Sequence, residues 1–437
     1  ILPFVLKSAE CMKASVGELE KYLVKEEGTS KGTLVLGTVY GDVHDIGKNL
    51  VKTIFQNNGY SVYDLGKQVP LQKFLEKIDE VKPDAIGLSA LLVSTSKQMK
   101  FFVEHARKNN MTVPILCGGA AINSNYINRI AKEGGIYDPG VFYCNTMFEG
   151  LKTMDTLISD DKPKLLEEWK TKLENWKERT NTPVDPSTLP RSNVQTVDPP
   201  TPKIIGEPIR LKLDQINMGE VWTMIDKKSL FKLSWGLRGK AGAESEEEHE
   251  QLLTEWKIRI IRDKLIEPEV VYGYFKCHNA GQKLLVENPS GDDVEFDFPR
   301  STKPEHLCLT DYFGTDDVVA FQSVTVGTKV SDVLETWNDE DKYTDAYYLH
   351  GLAVELAEAL AQWINQKIKS ELNLVKGALR YSWGFPSCPD VSQHHLVWKL
   401  LEPEKSGMTL TESGQIIPEQ STAAIVIHHP DAKYFVI

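Results

Sequence analysis

From residue 33 to about 158 two hydrophobic patterns alternate along the chain. Short apolar runs rich in β-branched residues, TLVLGTV (33–39), SVYDLG (61–66), AIGLSAL (85–91), VPILCGGA (113–120) and VFYC (141–144), read as buried strands. Between them lie stretches whose apolar residues recur every three to four positions, predicting helices near 46–58, 71–80, 96–109, 124–134 and 147–158. Five βα units in succession predict an α/β fold, a doubly wound five-stranded parallel sheet covered on both faces. In such sheets ligands sit at the carboxyl ends of the strands. The residues just after each strand are therefore the ones to inspect.

The pattern changes on either side of this region. Residues 1 to about 25 carry Leu2, Val5, Leu6, Ala9 and Met12 at helical spacing, and a Glu, Gly, Thr and Ser tail at 26–30 is expected to end that helix. Residues 163–180 read as a charged helix with Trp169 and Trp176 seven apart. The seven prolines between 182 and 208 predict an extended, semi-rigid linker. Beyond it, helical signals at 220–236 and 244–264 precede strands near 270–276, 282–287 and 318–325, a long amphipathic helix at 343–371 and a strand at 422–429. Strands and helices do not alternate regularly there, so the second half is expected to be a separate α+β domain. The divisions expected are 1–28, 29–160, 161–208 and 209–437.

Length and charge narrow the function. At 437 residues the chain is too long for a single core. A net charge of −12 without a long basic run argues against nucleic-acid binding. No apolar run reaches membrane-spanning length, so no membrane partner is expected. Six scattered cysteines with no C-x-x-C pair argue against a disulfide framework or a zinc site, and point to a reducing, cytoplasmic setting. The opening ILPFVLKSAECMKASV lacks the features of a signal peptide and reads as the middle of a helix, so the sequence is expected to be a piece of a longer protein.

The candidate chemistry begins after the first strand, in Thr38-Val39-Tyr40-Gly41-Asp42-Val43-His44-Asp45-Ile46-Gly47-Lys48-Asn49. A loop histidine alone is most often a solvated side chain, and a glycine-rich strand–helix turn is a simple turn or a phosphate cradle. The ends of the third and fourth strands change that reading. They supply Ser89-Ala90-Leu91 and Cys117-Gly118-Gly119-Ala120, so the chain reads D-x-H-x-x-G, then S-x-L, then G-G. Forty-one residues separate Gly47 from Ser89, and twenty-six separate Leu91 from Gly118.

This three-part pattern resembles the signature of cobalamin-binding domains, Rossmann- or flavodoxin-like sheets that hold vitamin B12 with its own base displaced. The run GDVHDIGKNLV is similar to the cobalamin-dependent methionine synthase family in particular, and LPFVLKSAECMKASVGELEKYL resembles the end of the helical cap that precedes the domain there. The resemblance implies that His44 is the lower ligand to cobalt, a metal that takes imidazole nitrogen. Asp42 would orient the ring through its second nitrogen, as outer carboxylates do. Thr95, standing where the family has serine, would complete a proton relay used when the histidine leaves the metal. Gly41, Asp42, Val43, His44, Asp45, Gly47, Ser89, Leu91, Val93, Gly118, Gly119 and Thr146 would surround the cofactor, with Gly118 and Gly119 leaving a side-chain-free slot for the displaced nucleotide tail.

The second half extends the likeness. Arg380-Tyr381-Ser382-Trp383-Gly384-Phe385-Pro386-Ser387-Cys388-Pro389 resembles the loop of the family's reactivation domain that binds S-adenosylmethionine, and Leu410-Thr411-Glu412-Ser413 and Asp431-Ala432-Lys433-Tyr434-Phe435 follow in order. The resemblance implies Asp226, Glu358, Arg380, Gly384, Phe385, Tyr434 and Phe435 as S-adenosylmethionine contacts. A forked guanidinium such as Arg380 suits a carboxylate. On the residues alone, Asp226 and Glu358 read equally well as solvated helix charges, and Tyr434 and Phe435 as core. Phe385 replaces the family's tyrosine, Ser382 and Trp383 replace prolines, and Val93 replaces a threonine.

The function so implied is cobalamin-dependent methyl transfer: a portion of methionine synthase that carries methylcobalamin and its reductive remethylation by S-adenosylmethionine. An electron donor such as flavodoxin or a flavoprotein reductase would be the partner. The homocysteine and folate domains, and the zinc that belongs to them, would lie in a missing N-terminal part. The alternatives are a non-catalytic corrinoid carrier or B12-sensing module, and a flavodoxin-like FMN or nucleotide domain.

Overall fold

A computed structural model describes residues 2–19, 30–177, 185–237 and 243–437. Part of the expected first-helix tail and the start of the proline-rich stretch lie outside the described residues. The chain divides into two compact units, principally residues 7–181 and 182–437. Among the described residues, no helix is long and apolar enough to cross a membrane.

After the N-terminal helix α1 (Leu2–Leu19), strands and helices of the first unit alternate through β1 (Thr33–Thr38), α2 (Ile46–Asn57), β2 (Ser61–Asp64), α3 (Leu71–Val81), β3 (Ala85–Ser89), α4 (Val93–Lys108), β4 (Ile115–Gly118), α5 (Ser124–Lys132), β5 (Val141–Tyr143) and α6 (Met147–Leu157), and a further helix, α7 (Lys162–Asn175), follows. The strands form one parallel sheet in the order β2-β1-β3-β4-β5. Successive side chains of a strand point to opposite faces. Leu34 and Leu36 therefore join Phe55, Leu116 and Met154 in one core, while Val35 joins Ile86, Leu88, Met99 and Phe102 in the other. Two-sided burial is why the strands read as continuous apolar runs. The chain order reverses between β1 and β3, and the crevice at their carboxyl ends is where a doubly wound sheet takes its ligand.

All five strands stop before the ends of their apolar runs, β2, β3 and β4 by two residues each. β3 ends at Ser89 because the N–H groups of Leu91 and Leu92 turn to the Asp42 carboxylate at 2.8 and 3.4 Å instead of a neighbouring strand. β4 ends at Gly118, where the next residue has a positive φ of 127°. Helix α7 stays with this unit. Trp169 Nε1 donates to Val141 O, and Lys132 Nζ reaches the carbonyls of Leu173, Glu174 and Trp176.

The second unit holds an antiparallel sheet. It comprises β6 (Ile209–Leu211), β7 (Glu269–Ala280), β8 (Lys283–Val286), β9 (Val294–Asp297), β10 (Asp317–Thr325), β11 (Leu379–Ser382) and, after the small pair β12 (Thr409–Leu410) and β13 (Ile416–Ile417), β14 (Ser421–Ile427). The order is β11-β14-β10-β7-β8-β9, with β6 on β7. The helices are α8 (Met218–Thr223), α9 (Lys227–Ser229), α10 (Ala243–Arg262), α11 (Lys329–Asp339), α12 (Tyr343–Glu371) and α13 (His394–Leu401). α12 lays Leu349, Leu352, Leu356 and Leu360 into a core shared with β7 and β10. The single helix expected at 220–236 is broken instead. Asp226 leaves helical geometry and its carboxylate accepts the N–H groups of Lys228 and Ser229, restarting the chain as α9 and a π-helical turn.

Candidate functional site

The loop after β1 is built around one carboxylate. Gly41 takes a φ of 78°, which turns the chain away from the sheet. Asp42 is fully buried, and its Oδ1 accepts both the backbone N–H of His44 at 3.1 Å and ring Nδ1 at 2.8 Å. Its Oδ2 accepts Thr95 Oγ1 at 2.6 Å and Leu91 N at 2.8 Å. Burial alone would push this carboxyl up. The hydrogen bonds from His44 and Thr95, the charge of His44 and the Leu91 N–H together outweigh it and hold Asp42 below the ordinary carboxylate range. An ionised carboxylate only accepts, so His44 Nδ1 carries a proton, and a metal would meet the ring through Nε2. The imidazole is about a fifth exposed, at 21%. Thr38 Oγ1 donates to His44 O at 3.2 Å and pins the loop to the strand end.

Beside this loop, Gly47, Ser89, Gly118, Gly119 and Thr146 line one cavity of about 310 Å³. Val51 and Phe55 form its α2 wall, with Leu36 and Leu116 at its base. Gly119 is irreplaceable there. A Cβ would lie 1.9 Å from Ala90 O, on a backbone that L side chains rarely adopt. Gly47 has nothing within 4 Å of a would-be Cβ and leaves the mouth open. Thr146 also caps α6, accepting Glu149 N. Val43 is buried, Asp45 precedes α2 without a side-chain cap, and Leu91 and Val93 are exposed, Val93 at 72%. With the half-exposed Tyr40 and Phe148 they put apolar surface around the histidine loop at the same edge of the sheet.

The sequence reading missed Lys48. Its side chain is buried on the cavity wall, and Nζ donates to both Asp64 oxygens at 2.6 and 2.7 Å and to Asn49 Oδ1 at 2.6 Å. Burial would raise the Asp64 carboxyl, but the Lys48 charge and hydrogen bond hold it low. The pair ties the first turn of α2 to the end of β2. No signal in the sequence marks a lysine as buried when its partner is sixteen residues away.

The second unit has a cavity of about 450 Å³ between α12, β11, the 385–388 loop and the C-terminal segment. Glu358, Arg380, Phe385, Tyr434 and Phe435 line it, and Tyr381, Ser387 and Val436 extend it. Arg380 Nη2 donates to Glu358 Oε2 at 2.5 Å, and Tyr434 Oη donates to Arg380 O at 3.2 Å. Phe385 and Tyr434 are not core. They are 61% and 66% exposed. Gly384 does not line the cavity, but its φ of 92° and its N–H to Cys388 O close the loop that does. Asp226 does not line it either and is exposed. It still belongs to an acidic neighbourhood. Burial raises the Glu355 carboxyl, opposed by bonds from Ser234 and Ser229 and reinforced by the charges of Asp226 and Glu358.

Residues 32–152 match the B12 binding domain family, and residues 217–437 match the vitamin B12 dependent methionine synthase activation domain family. The methionine synthase of Mycobacterium tuberculosis is 34% identical over a 498-residue alignment that takes in 99% of this chain and 41% of that protein. That of Mycobacterium leprae is 33% identical over 505 residues, with the same coverage of 99% and 41%. The chain thus spans about two fifths of the length of these curated relatives. Among solved structures, the MetH reactivation domain bound to AdoHcy aligns with a TM-score of 0.48 at 20% identity, over 55% of this chain and 83% of that one. The methanol:cobalamin methyltransferase complex MtaBC from Methanosarcina barkeri aligns with a TM-score of 0.34 at 30% identity, over 39% and 63%.

Proposed function

The chain belongs to the vitamin B12-dependent methionine synthase activation domain family, and we propose that it is the part of a methionine synthase that carries cobalamin and restores its methyl group from S-adenosylmethionine. The observation that carries the first half is the Asp42–His44 pair beside a cavity that Gly47, Gly118 and Gly119 keep open at one end of the sheet. An imidazole with one nitrogen fixed by a buried carboxylate is a metal donor of set direction. The cavity, narrowed by apolar side chains and opened by Gly118 and Gly119, suits a long, thin appendage, and the exposed apolar rim suits a broad planar ring. The residues therefore fit the cofactor. Ser89, Gly118, Gly119 and Thr146 would hold the displaced nucleotide tail, and Leu91 and Val93 would meet the ring. Bound cobalamin would supply a metal centre able to take and give a methyl group.

The protein's own part is positioning and proton bookkeeping. Asp42 keeps the His44 ring oriented, and Thr95 keeps Asp42 oriented. If His44 leaves the metal, the Asp42–His44 pair is the place where a proton would be taken up. In the second unit, Arg380 would hold the carboxylate of S-adenosylmethionine, and Glu358 and Asp226 would favour its cationic groups. Phe385, Tyr434 and Phe435 would wall its aromatic part. Homocysteine and methyltetrahydrofolate as substrates, a flavodoxin or flavoprotein reductase as electron donor, and a cytoplasmic site belong to the same reading. A corrinoid carrier or sensor would have no use for the Arg380–Glu358 cavity.

The test is an absorption spectrum of the protein loaded with cobalamin, beside that of His44→Ala. The wild type should show a histidine-ligated spectrum and the variant a base-free one. Identical spectra would remove His44 as ligand, and a bound flavin in place of cobalamin would remove the reading.

A further inference from the structure

The proline-rich segment is not loose where it is described. Pro186 O accepts Gln282 Nε2 at 3.2 Å, Ser192 Oγ donates to Asp311 Oδ2 at 2.7 Å, and Arg191 Nε lies 3.3 Å from Asp311 Oδ1. Gln195 O accepts His429 Nε2 at 2.7 Å. The last contact matters for the cavity. His429 is buried, and its Nδ1 accepts the N–H of Asp431 at 3.1 Å. That bond fixes the tautomer: Nδ1 is an acceptor, so Nε2 carries the proton it gives to Gln195. Five residues later the same segment supplies Tyr434 and Phe435 to the cavity wall.

We propose that His429 is a positioning residue for the S-adenosylmethionine cavity, coupling the seating of the 186–195 strap to the placement of Tyr434 and Phe435. This rests on the reading of that cavity given above. The physical reason is the cost of an unpaired buried donor. If Gln195 lifts away, the His429 N–H is left inside the protein without an acceptor, so the ring must follow or the bond must hold. A second tie runs in parallel. Asp311, which receives Ser192, is buried against Arg300 at 2.5 and 2.9 Å, and the next residue, Ser301, donates to Val436 O at 2.5 Å. The far side of the segment is held by β11, through Tyr381 Oη to Lys433 O, and by the 385–388 loop, through Ser387 Oγ to Phe435 O. The cavity wall is therefore clamped between loop and strap. Because the strap is the covalent path to the cobalamin-binding unit, tension along it is felt at the cavity, and occupancy of the cavity is felt in the strap.

The experiment uses the full chain with wild type, His429→Ala, His429→Gln and the strap double variant Arg191→Ala/Ser192→Ala. S-Adenosylmethionine affinity is read by calorimetry, and backbone hydrogen exchange is read at 186–195 and 433–436. His429→Ala should weaken binding roughly tenfold, and His429→Gln, which keeps a donor for Gln195, should recover part of it. The ligand should slow exchange in the wild-type strap but not in His429→Ala. The double variant touches neither His429 nor the cavity and has little reason to misfold. It should speed exchange at 433–436 even without ligand. Unchanged exchange at 433–436 in the double variant, or wild-type affinity in folded His429→Ala, overturns the coupling. If the wild type takes no S-adenosylmethionine, the cavity reading has failed instead, and the ligand-free exchange comparison still decides whether strap and wall are linked.

Discussion

The two cavities are made in opposite ways. The first is assembled from chain ends that the topology is bound to bring together. The carboxyl ends of β1, β3 and β4 are neighbours in a parallel sheet, so Thr38, Ser89 and Gly118 meet in register whatever the connections between them do, and Asp42 follows β1 by only four residues. The second draws Glu358 from a helix, Arg380 from an edge strand, Phe385 from a tight loop and Tyr434 from the C-terminal segment. No general rule of antiparallel sheets converges those four places. The first site is enforced by the fold. The second is held by particular hydrogen bonds, and so it has more ways to be perturbed from a distance.

That difference sets the scale of the expected effects. The largest falls on the fold-enforced site at its tightest point. Gly119→Ala puts a methyl group against Ala90 O with an unfavourable φ, so the ends of β3 and β4 must move apart. The expected outcome is roughly 2–4 kcal/mol off the stability of the first unit, read by urea unfolding, and loss of cobalamin retention on gel filtration. A variant as stable as the wild type that still retains cobalamin would show that this approach is not what shapes the cavity. Next comes Arg380→Ala, which leaves Glu358 without its partner. S-Adenosylmethionine affinity should fall roughly 30-fold or more by calorimetry while cobalamin affinity is unchanged. A parallel loss of cobalamin binding would erase the distinction between the sites.

The same contrast explains what could be read in advance. Alternating patterns gave the five parallel strands and their helices because two-sided burial writes itself into composition. The 343–371 helix was legible because its apolar face spans many turns. The Asp42–His44 pair was legible because both partners sit in one loop, two residues apart. Lys48 was not, since its pairing with Asp64 depends on how α2 lies on the sheet. The short strands β6 (IRL), β9 (VEFD) and β11 (LRYS) were missed because charged residues interrupt their few apolar positions, so none forms the continuous apolar run that marked β4 and β5. The end of β3 at Ser89 was overrun because apolar residues continue past the point where Asp42 captures the Leu91 N–H, and that of β4 at Gly118 because the positive φ of Gly119 leaves no apolar signal. At 220–236 the apolar period was real, but it could not show that Asp226 would spend its carboxylate on capping α9.

The smallest effect tests how far enforcement reaches. Thr95 lies behind Asp42, away from any ligand contact, and its single hydroxyl proton reaches Asp42 Oδ2 at 2.6 Å, with Leu92 O a longer alternative at 3.0 Å. If the hydroxyl is what matters, Thr95→Ser should retain cobalamin within about twofold of wild type, because the donor stays and only a methyl group goes. Thr95→Val removes the donor and leaves Oδ2 with backbone partners alone, since Leu91 N and Leu92 N still reach it. A buried acceptor that keeps other donors loses less than one left bare, so the expected weakening is only about three- to tenfold. It should be read as a shift of cobalamin affinity in a spectral titration, with the histidine-ligated spectrum kept. Equal behaviour of the two variants would mean that backbone N–H groups alone hold Asp42. The orientation of His44 would then depend on the sheet and not on any side chain of α4.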